Sequence, residues 1–415
     1  AAEAAAAESA EGAGFNISGT AADAPRIGLD WQIGTNSGWG VYGFNLVRRA
    51  LETRQGFPVL FTSPDLRSLD RQRLQKIEPA LEVHRELARQ AAKPGSTFNT
   101  RFPVLRALGN RLMGGSAGMS VNSPRNIGVI FFEDTRLDAE ALERGRRYDR
   151  IIAGSTWNAE VLRANGIERV ETCLQGIDPG LFRPGERTGR FGDRFVVFSG
   201  GKLEYRKGQD IVIAAFREFH ARHPDSLLLT AWHNHWPATM AEIVLKGHVA
   251  GVPNVAGGRI DFGSWLEANG VPRDAFFDLG QLPHAEMAAA VREAHVGVFP
   301  NRCEGGTNLV AMECMAAGVP AVLSANTGHL DLIAEGACFP LRDQGPVPMS
   351  RQFLGTDGWG ESSVDEIVEA LESAYSNRDE AARRGHAGAR LLADLSWDRQ
   401  IDQLFGILAD LLPTS

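Results

Sequence analysis

The chain has 415 residues, 43% hydrophobic and 23% charged, with 43 Lys and Arg against 51 Asp and Glu for a net charge of −8. That length suits about two domains with separate cores, and the acidic balance argues against a nucleic-acid partner, which needs a basic surface. No apolar run approaches the ~18 residues that span a bilayer, and Cys173, Cys303, Cys314 and Cys338 form no CxxC pair, as expected of a reducing compartment without structural zinc.

Residues 1–24 are Ala-rich, carry acidic side chains and lack a basic leader, so they read as a disordered tail or linker rather than a signal peptide. From Arg26 onward, short apolar runs alternate with amphipathic stretches, the pattern of parallel βα units. Arg26–Trp31 predicts a strand, 34–40 a glycine-rich turn, 41–54 a helix and Phe57–Phe61 the next strand. Residues 65–93 read as a charged helix and 94–125 as irregular. Regular alternation resumes with strand Asn126–Phe132, a helix over 137–147, strand Arg150–Ala153, a helix after Ser155, and strand Arg169–Leu174. The polar stretch 183–193, rich in Pro, Gly, Arg and Asp, predicts a domain boundary.

The same order then restarts. Phe195–Phe198 is a continuous apolar run, typical of a strand buried on both faces. Loop 200–208 follows, then a helix presenting Val212, Phe216 and Phe219, and strand Leu227–Trp232. Farther on come a helix over 285–294, strand Val296–Phe299, loop 300–307, a helix over 309–317 and strand Pro320–Leu323. Helices over 363–376, 379–393 and 397–412 close the chain. The expected division is a tail at 1–24, an α/β domain at 25–185, a second at 186–395, and a terminal helix at 396–415.

In open parallel sheets, ligands bind beyond the carboxyl ends of the strands, and three loops at such ends suit an anion. Gly34-Thr35-Asn36-Ser37-Gly38-Trp39-Gly40 lets backbone approach a ligand at a helix N-terminus, although an ordinary strand-to-helix turn fits equally well. It matches neither GxGxxG nor a P-loop. Gly200-Gly201-Lys202-Leu203-Glu204-Tyr205-Arg206-Lys207-Gly208 concentrates cations after a buried strand; a solvated charged turn is the alternative. Asn301-Arg302-Cys303-Glu304-Gly305-Gly306-Thr307-Asn308 leads into an apolar helix, with Thr307 or Asn308 as N-cap and free N–H groups for a diphosphate. Glu313 lies inside that helix and needs a partner: a ligand hydroxyl, an Arg or a backbone amide. These residues suit an anionic, hydroxyl-rich small molecule in an interdomain cleft.

Gly201-Lys202-Leu203 with Lys207-Gly208 resembles the G-R-L-x-x-x-K-G signature of retaining GT-B glycosyltransferases of the GT4 type, the glycosyl transferases group 1. Glu304-Gly305-Gly306 through Glu313-Cys314-Met315-Ala316-Ala317-Gly318-Val319-Pro320 resembles that family's E-G-F-G…E-A-M-A-x-G-x-P-V block. Ser155 through Gly166-Ile167, Gly176-Ile177-Asp178 and Ser396-Trp397 are similar to further family marks. The resemblance implies two Rossmann-like α/β domains facing across a cleft, an acceptor-side domain first and a donor-nucleotide domain second, with the terminal helix crossing back to the first. It implies that Lys202 and Lys207 hold a donor diphosphate, that Glu313 accepts from the ribose, and that Glu304 contacts the transferred sugar. Gly38 would approach the phosphates from the opposite domain, and N–H groups near Gly306, Thr307 and Asn308 would meet phosphate or sugar oxygens.

Three features depart from the family pattern. Lys202 stands where Arg is usual, Glu304 and Glu313 are nine positions apart instead of eight, and no His follows the strand at Phe131-Phe132. Glu133, in that place, is the acceptor-side candidate, with a strand-end carboxylate capping a turn as the alternative. His233 and His235, beside Trp232 and Trp236, read as structural, Cys303 as a loop cysteine, and no metal site is expected. His329 follows a strand of the second domain.

The resemblance implies a retaining, metal-independent transfer of a sugar from a UDP- or GDP-type nucleotide-diphosphate sugar to a hydroxyl on a glycan, lipid-linked or protein acceptor. No other cofactor is required. The expected setting is bacterial polysaccharide or glycoconjugate synthesis in the cytoplasm, with peripheral contact to the inner face of the membrane admitted. A GT-B module that binds a sugar nucleotide or glycan without turnover, and a sugar-nucleotide epimerase on the same fold, are the alternatives.

Overall fold

The computed structural model of the protein describes residues 25–91, 97–115 and 118–412; the expected tail at 1–24 lies outside the described residues. The first half forms a six-stranded parallel sheet from β1 (Arg26–Asp30), β2 (Phe57–Leu60), β3 (Val104–Leu108), β4 (Asn126–Ile130), β5 (Arg150–Ala153) and β6 (Val170–Thr172), in the order β2-β1-β3-β4-β5-β6. The second half repeats the plan with β7 (Phe195–Lys202), β8 (Ser226–His233), β9 (Phe276–Asp278), β10 (Val296–Phe299), β11 (Ala321–Ser324) and β12 (Phe339–Leu341), in the order β9-β8-β7-β10-β11-β12. Helices cover both faces of such sheets, which is why Phe57–Leu60, Val296–Phe299 and Ala321–Ser324 are buried throughout and, Ser324 apart, read as apolar runs. This is the GT-B arrangement that the resemblance implied.

The helices are α1 (Gly38–Thr53), α2 (Arg71–Ala91), α3 (Ala139–Arg146), α4 (Thr156–Ala164), α5 (Gln209–Arg222), α6 (Phe262–Ala268), α7 (His284–Arg292), α8 (Leu309–Ala316), α9 (Val364–Ser376), α10 (Arg378–Ala393) and α11 (Trp397–Leu408). Side chains of Ser37, Asp138, Ser155, Ser363 and Ser396 accept from an N–H of the first turn and so fix where five of them begin.

The stretch 94–125, expected to be irregular, supplies the central strand β3, paired in parallel with both β1 and β4. Its apolar run is broken by Arg106, whose guanidinium donates to Asp30 Oδ2, Asn126 Oδ1 and the Val121 carbonyl, each at 2.7 Å. A cation with that many partners is tolerated inside a sheet but erases the sequence pattern of a buried strand.

Helix α11 leaves the second domain and packs on the first. Its Trp397, Ile401, Leu404, Phe405 and Leu408 join one buried cluster with Ile27, Leu29, Tyr42, Leu46 and Ala50. Arg49 grips Asp402 through two hydrogen bonds, at 2.9 and 2.5 Å. At the crossing, Ile177 N–H donates to Leu395 O (2.9 Å) and Trp397 N–H to Ile177 O (3.0 Å). A side chain at Gly176 would stand 2.5 Å from the Trp397 nitrogen, so the two passing segments fit only with glycine there.

Strand order reverses between β1 and β3 in the first sheet and between β7 and β10 in the second. Such switch points open a crevice at the carboxyl ends of the strands. The loops after β1, β7 and β10 therefore line the gap between the sheets.

Candidate active site

The loop after β1 is pinned before it reaches the cleft. Thr35 N–H donates to Ser68 Oγ (2.9 Å), and its hydroxyl donates to Ser68 O (2.6 Å). Ser37 caps α1 by accepting from Gly40 N–H at 3.1 Å. Gly38, the first residue of α1, faces the second domain: a Cβ there would meet Leu309 Cδ1 at 3.6 Å and Gln175 Nε2 at 3.8 Å. A helix N-terminus and the start of α8 thus approach one another across the cleft.

Between them lies a cavity of about 150 Å³ lined by Gly38, Gly201, His233, His284, Leu309 and Glu313, among others. Glu313 is buried in apolar α8, and its Oε1 lies 2.6 Å from His284 Nε2. A carboxylate only accepts, so Nε2 is the donor. Burial lowers the His284 pKa, but the Glu313 charge outweighs it and raises the imidazole above its ordinary 6.5. The partner that Glu313 required is thus a histidine, which the sequence reading did not single out.

The loop after β7 gathers charges of both signs. Lys202 Nζ lies 2.8 Å from Glu204 Oε2 and 4.9 Å from the centre of the exposed Trp236 ring. Lys207 Nζ donates to Glu304 Oε1 at 2.5 Å. Arg206 lies 3.3 Å from Glu304 Oε2, 3.5 Å from Glu133 Oε1 and 2.6 Å from Glu204 Oε1, the last without hydrogen-bond alignment. Lys202, Arg206 and Lys207 thus face Glu133, Glu204 and Glu304, three charges of each sign. Burial alone would raise the Glu304 carboxyl, but Lys207 and Arg206 hold it down at about 2. Burial also pushes Glu133 up, and here Arg206 only partly offsets it.

Beneath this cluster sits Arg302, wholly buried and absent from the sequence-based candidates. It grips Asp210 through two hydrogen bonds (2.8 and 2.7 Å), Glu361 through two more (2.5 and 3.0 Å) and the Tyr205 carbonyl at 2.7 Å. Arg206 O in turn accepts from Arg302 N–H at 2.8 Å. This bidentate geometry ties the loops after β7 and β10 into one unit.

The loop after β10 is buried from Asn301 to Asn308. Asn308, at φ 61°, caps α8 and donates from its amide to His329 Nε2 (3.0 Å). Ser324 Oγ gives its own hydrogen to Asn301 O (2.7 Å) and lies 3.0 Å from His329 Nδ1, so His329 carries its proton on Nδ1. Burial holds its pKa down at about 4. Thr307 is fully buried, with its hydroxyl 2.9 Å from Met312 Sδ. Gly306 is wedged at the domain junction, where a Cβ would stand 2.8 Å from both Gln175 Oε1 and Phe131 Cδ1. Ser155 of the first domain donates to Gly305 O at 2.8 Å.

A second bridge between the domains involves residues 354–359. Thr135 N–H donates to Gly355 O (3.0 Å), Gly355 N–H to Asp134 Oδ1 (2.7 Å), and Trp359 Nε1 to Glu133 O (3.0 Å). Cys303 is buried, and burial drives its thiol well above the ordinary range, which favours the protonated thiol. The His233 and His235 rings lie with centres 5.6 Å apart and tilted 54° to one another, and His233 lines the cavity wall. Among the described residues, no three His, Cys, Asp or Glu side chains are grouped to hold a metal ion, and no helix is long and apolar enough to cross a membrane.

A family profile described as "Family 4 Glycosyltransferase in conflict systems" matches residues 159–404. The chain is 27% identical over 271 residues to a D-inositol 3-phosphate glycosyltransferase 1 from Catenulispora acidiphila, covering 62% of this chain and 56% of that protein. It is 27% identical over 264 residues to a GDP-mannose-dependent alpha-(1-6)-phosphatidylinositol monomannoside mannosyltransferase from Mycolicibacterium smegmatis, covering 62% and 58%. The chain therefore spans a little over half the length of these two curated relatives. In fold it is similar to a sucrose-phosphate synthase from Thermosynechococcus elongatus (TM-score 0.61, 15% identity, 93% of this chain and 99% of that one). It is also similar in fold to Anabaena HepE in complex with UDP and glucose (TM-score 0.62, 13% identity, 93% and 99%).

Proposed function

Because this chain belongs to the family 4 glycosyltransferases in conflict systems, we propose that it moves a sugar, with retention, from a nucleoside-diphosphate sugar to a hydroxyl acceptor. The observation that carries this reading is the meeting of Gly38, Gly201 and Glu313 in one cavity at the switch points of both sheets. The nucleotide's ribose lies against Glu313, and its diphosphate lies between Lys202, Lys207 and the N-terminal ends of α1 and α8. These groups take up the negative charge that develops on the leaving diphosphate, which is electrostatic catalysis by preorganised donors. Incoming phosphate oxygens replace Glu204 and Glu304 as partners of the two lysines. Glu304 is freed to face the transferred sugar, and Glu133 lines the acceptor side. The division of the chain at 185 and 395 is part of this reading.

The donor is of UDP or GDP type. The Mycolicibacterium relative is named for GDP-mannose and the Anabaena structure contains UDP, and both support that range. A glycan, lipid-linked or protein hydroxyl serves as acceptor, in the synthesis of a bacterial polysaccharide or glycoconjugate. The lysines and helix ends supply the charge stabilisation, so the reaction proceeds without a divalent metal. Thermal stabilisation by UDP, GDP, ADP, dTDP and their sugars tests the donor site. One nucleotide raises Tm in the wild type and not in K202A/K207A; the absence of any shift overturns the proposal. Nucleotide release that requires acceptor separates transfer from a binding module or an epimerase. Activity that vanishes with chelator and returns with Mn²⁺ overturns the metal-free step.

A further inference from the structure

We infer that His284 is a positioning residue that fixes Glu313 for a ribose hydroxyl and makes the site selective for ribonucleotide over deoxyribonucleotide donors; this rests on the donor reading above. Glu313 stands on a helix whose other residues are Leu, Val, Ala, Met and Cys, so its own helix offers no side chain that donates to it. Among the described residues, its hydrogen bond is the one from His284, and that bond engages Oε1. Oε2 carries none, is not a sealed-in orphan, and belongs to a residue lining the cavity. One carboxylate oxygen is thus tied back, and the other is presented to a ligand.

The imidazole is held from its other side. The Phe182 ring, from the segment between the two sheets, packs on it with centres 5.0 Å apart, and the first turn of α7 begins at His284 itself. Besides Glu313, the charged groups that bear on the ring are Arg73 of the first domain and Asp178 of the crossing segment. Packed against Phe182 and hydrogen-bonded to Oε1, His284 holds Glu313 to one position. A freely rotating carboxylate would spend part of its time away from the cavity and give up discrimination, because ordering it would then oppose binding.

A hydrogen bond from a hydroxyl to a fixed, ionised carboxylate is worth about tenfold to a hundredfold in affinity. The test uses UDP or GDP, whichever binds the wild type, alongside its 2′-deoxy and 3′-deoxy forms, by calorimetry. The wild type binds the ribo form at least about tenfold more tightly than one of the deoxy forms. His284→Ala lowers ribo binding to the deoxy level and leaves deoxy binding unchanged. His284→Gln, whose amide nitrogen reaches the place of Nε2, keeps the discrimination. Unchanged discrimination in His284→Ala overturns the inference, as does equal weakening of ribo and deoxy forms in both variants. If the wild type binds no nucleotide, the donor reading itself fails, an outcome distinct from either of these.

Discussion

Glu304 and Glu313 stand nine positions apart at the two ends of one loop and helix, yet their surroundings are opposites. Glu304 is held by Lys207, Arg206 and Asn301, inside a cluster that Arg302 supports from below. Glu313 has one protein partner among the described residues, a histidine. Glu304 is fixed by several charged and polar partners, whereas Glu313 is fixed by one imidazole, whose own pKa the Glu313 charge raises. The contrast teaches that, before a donor binds, one side of the cleft is framed by several charges at once, and the other is set by a single contact.

The sharpest way to break the comparison is to attack each support. Arg302→Met strands Asp210 and leaves Glu361 with His248 alone, and is expected to cost about 3–5 kcal/mol in urea unfolding. His284→Ala is expected to cost only about 1 kcal/mol, because it removes one hydrogen bond at a cavity wall. Equal losses would mean that the two sides are supported alike.

A second pair of variants separates the roles in turnover. Glu304→Gln is expected to lower kcat about a hundredfold while nucleotide binding persists. Glu313→Gln is expected to raise the donor KM about tenfold with a smaller change in kcat. Steady-state kinetics with both variants decides this, and the reverse pattern would exchange the two assignments.

The comparison extends to pH. The Glu304 carboxyl is depressed from about 4.5 to about 2, so its contribution to stability is complete above pH 4.5 and is lost as pH falls towards 2. The His284 imidazole is raised above 6.5, so its contribution is complete below pH 6.5 and is lost as pH rises through the raised value. Glu313, Arg73 and Asp178 are the charged groups that face it. Unfolding followed across pH is expected to lose its acid-side slope in Glu304→Gln and its alkaline-side slope in His284→Gln.

The sequence told most where strands are buried on both faces. Phe195–Phe198 and Val296–Phe299 read directly as strands, and the glycine- and charge-bearing loops that follow them therefore fell at the cleft. Strand β3 was hidden because Arg106 interrupts its apolar run, and only its fold-dependent partners Asp30, Asn126 and Val121 explain the charge. Arg302 looked like one more loop cation, since Asp210 and Glu361 lie 92 and 59 positions away. Glu313 was recognisable as a carboxylate in need of a partner, but His284, 29 positions earlier, gave no local sign that it would be the one. What remained illegible was in each case a long-range pairing of charges, which periodicity does not encode.

The crossing of Ile177 with Leu395 and Trp397 has a consequence for inheritance. The first half of the molecule is one body in space but two pieces in the gene, since α11 fills a core begun some 370 residues earlier by Ile27 and Leu29. A recombination event that swapped the segment before residues 183–193 would leave Trp397, Ile401, Leu404 and Phe405 against a foreign core. Viable chimeras must carry the last helix along with the first domain, so shuffling in such chains requires two matched junctions.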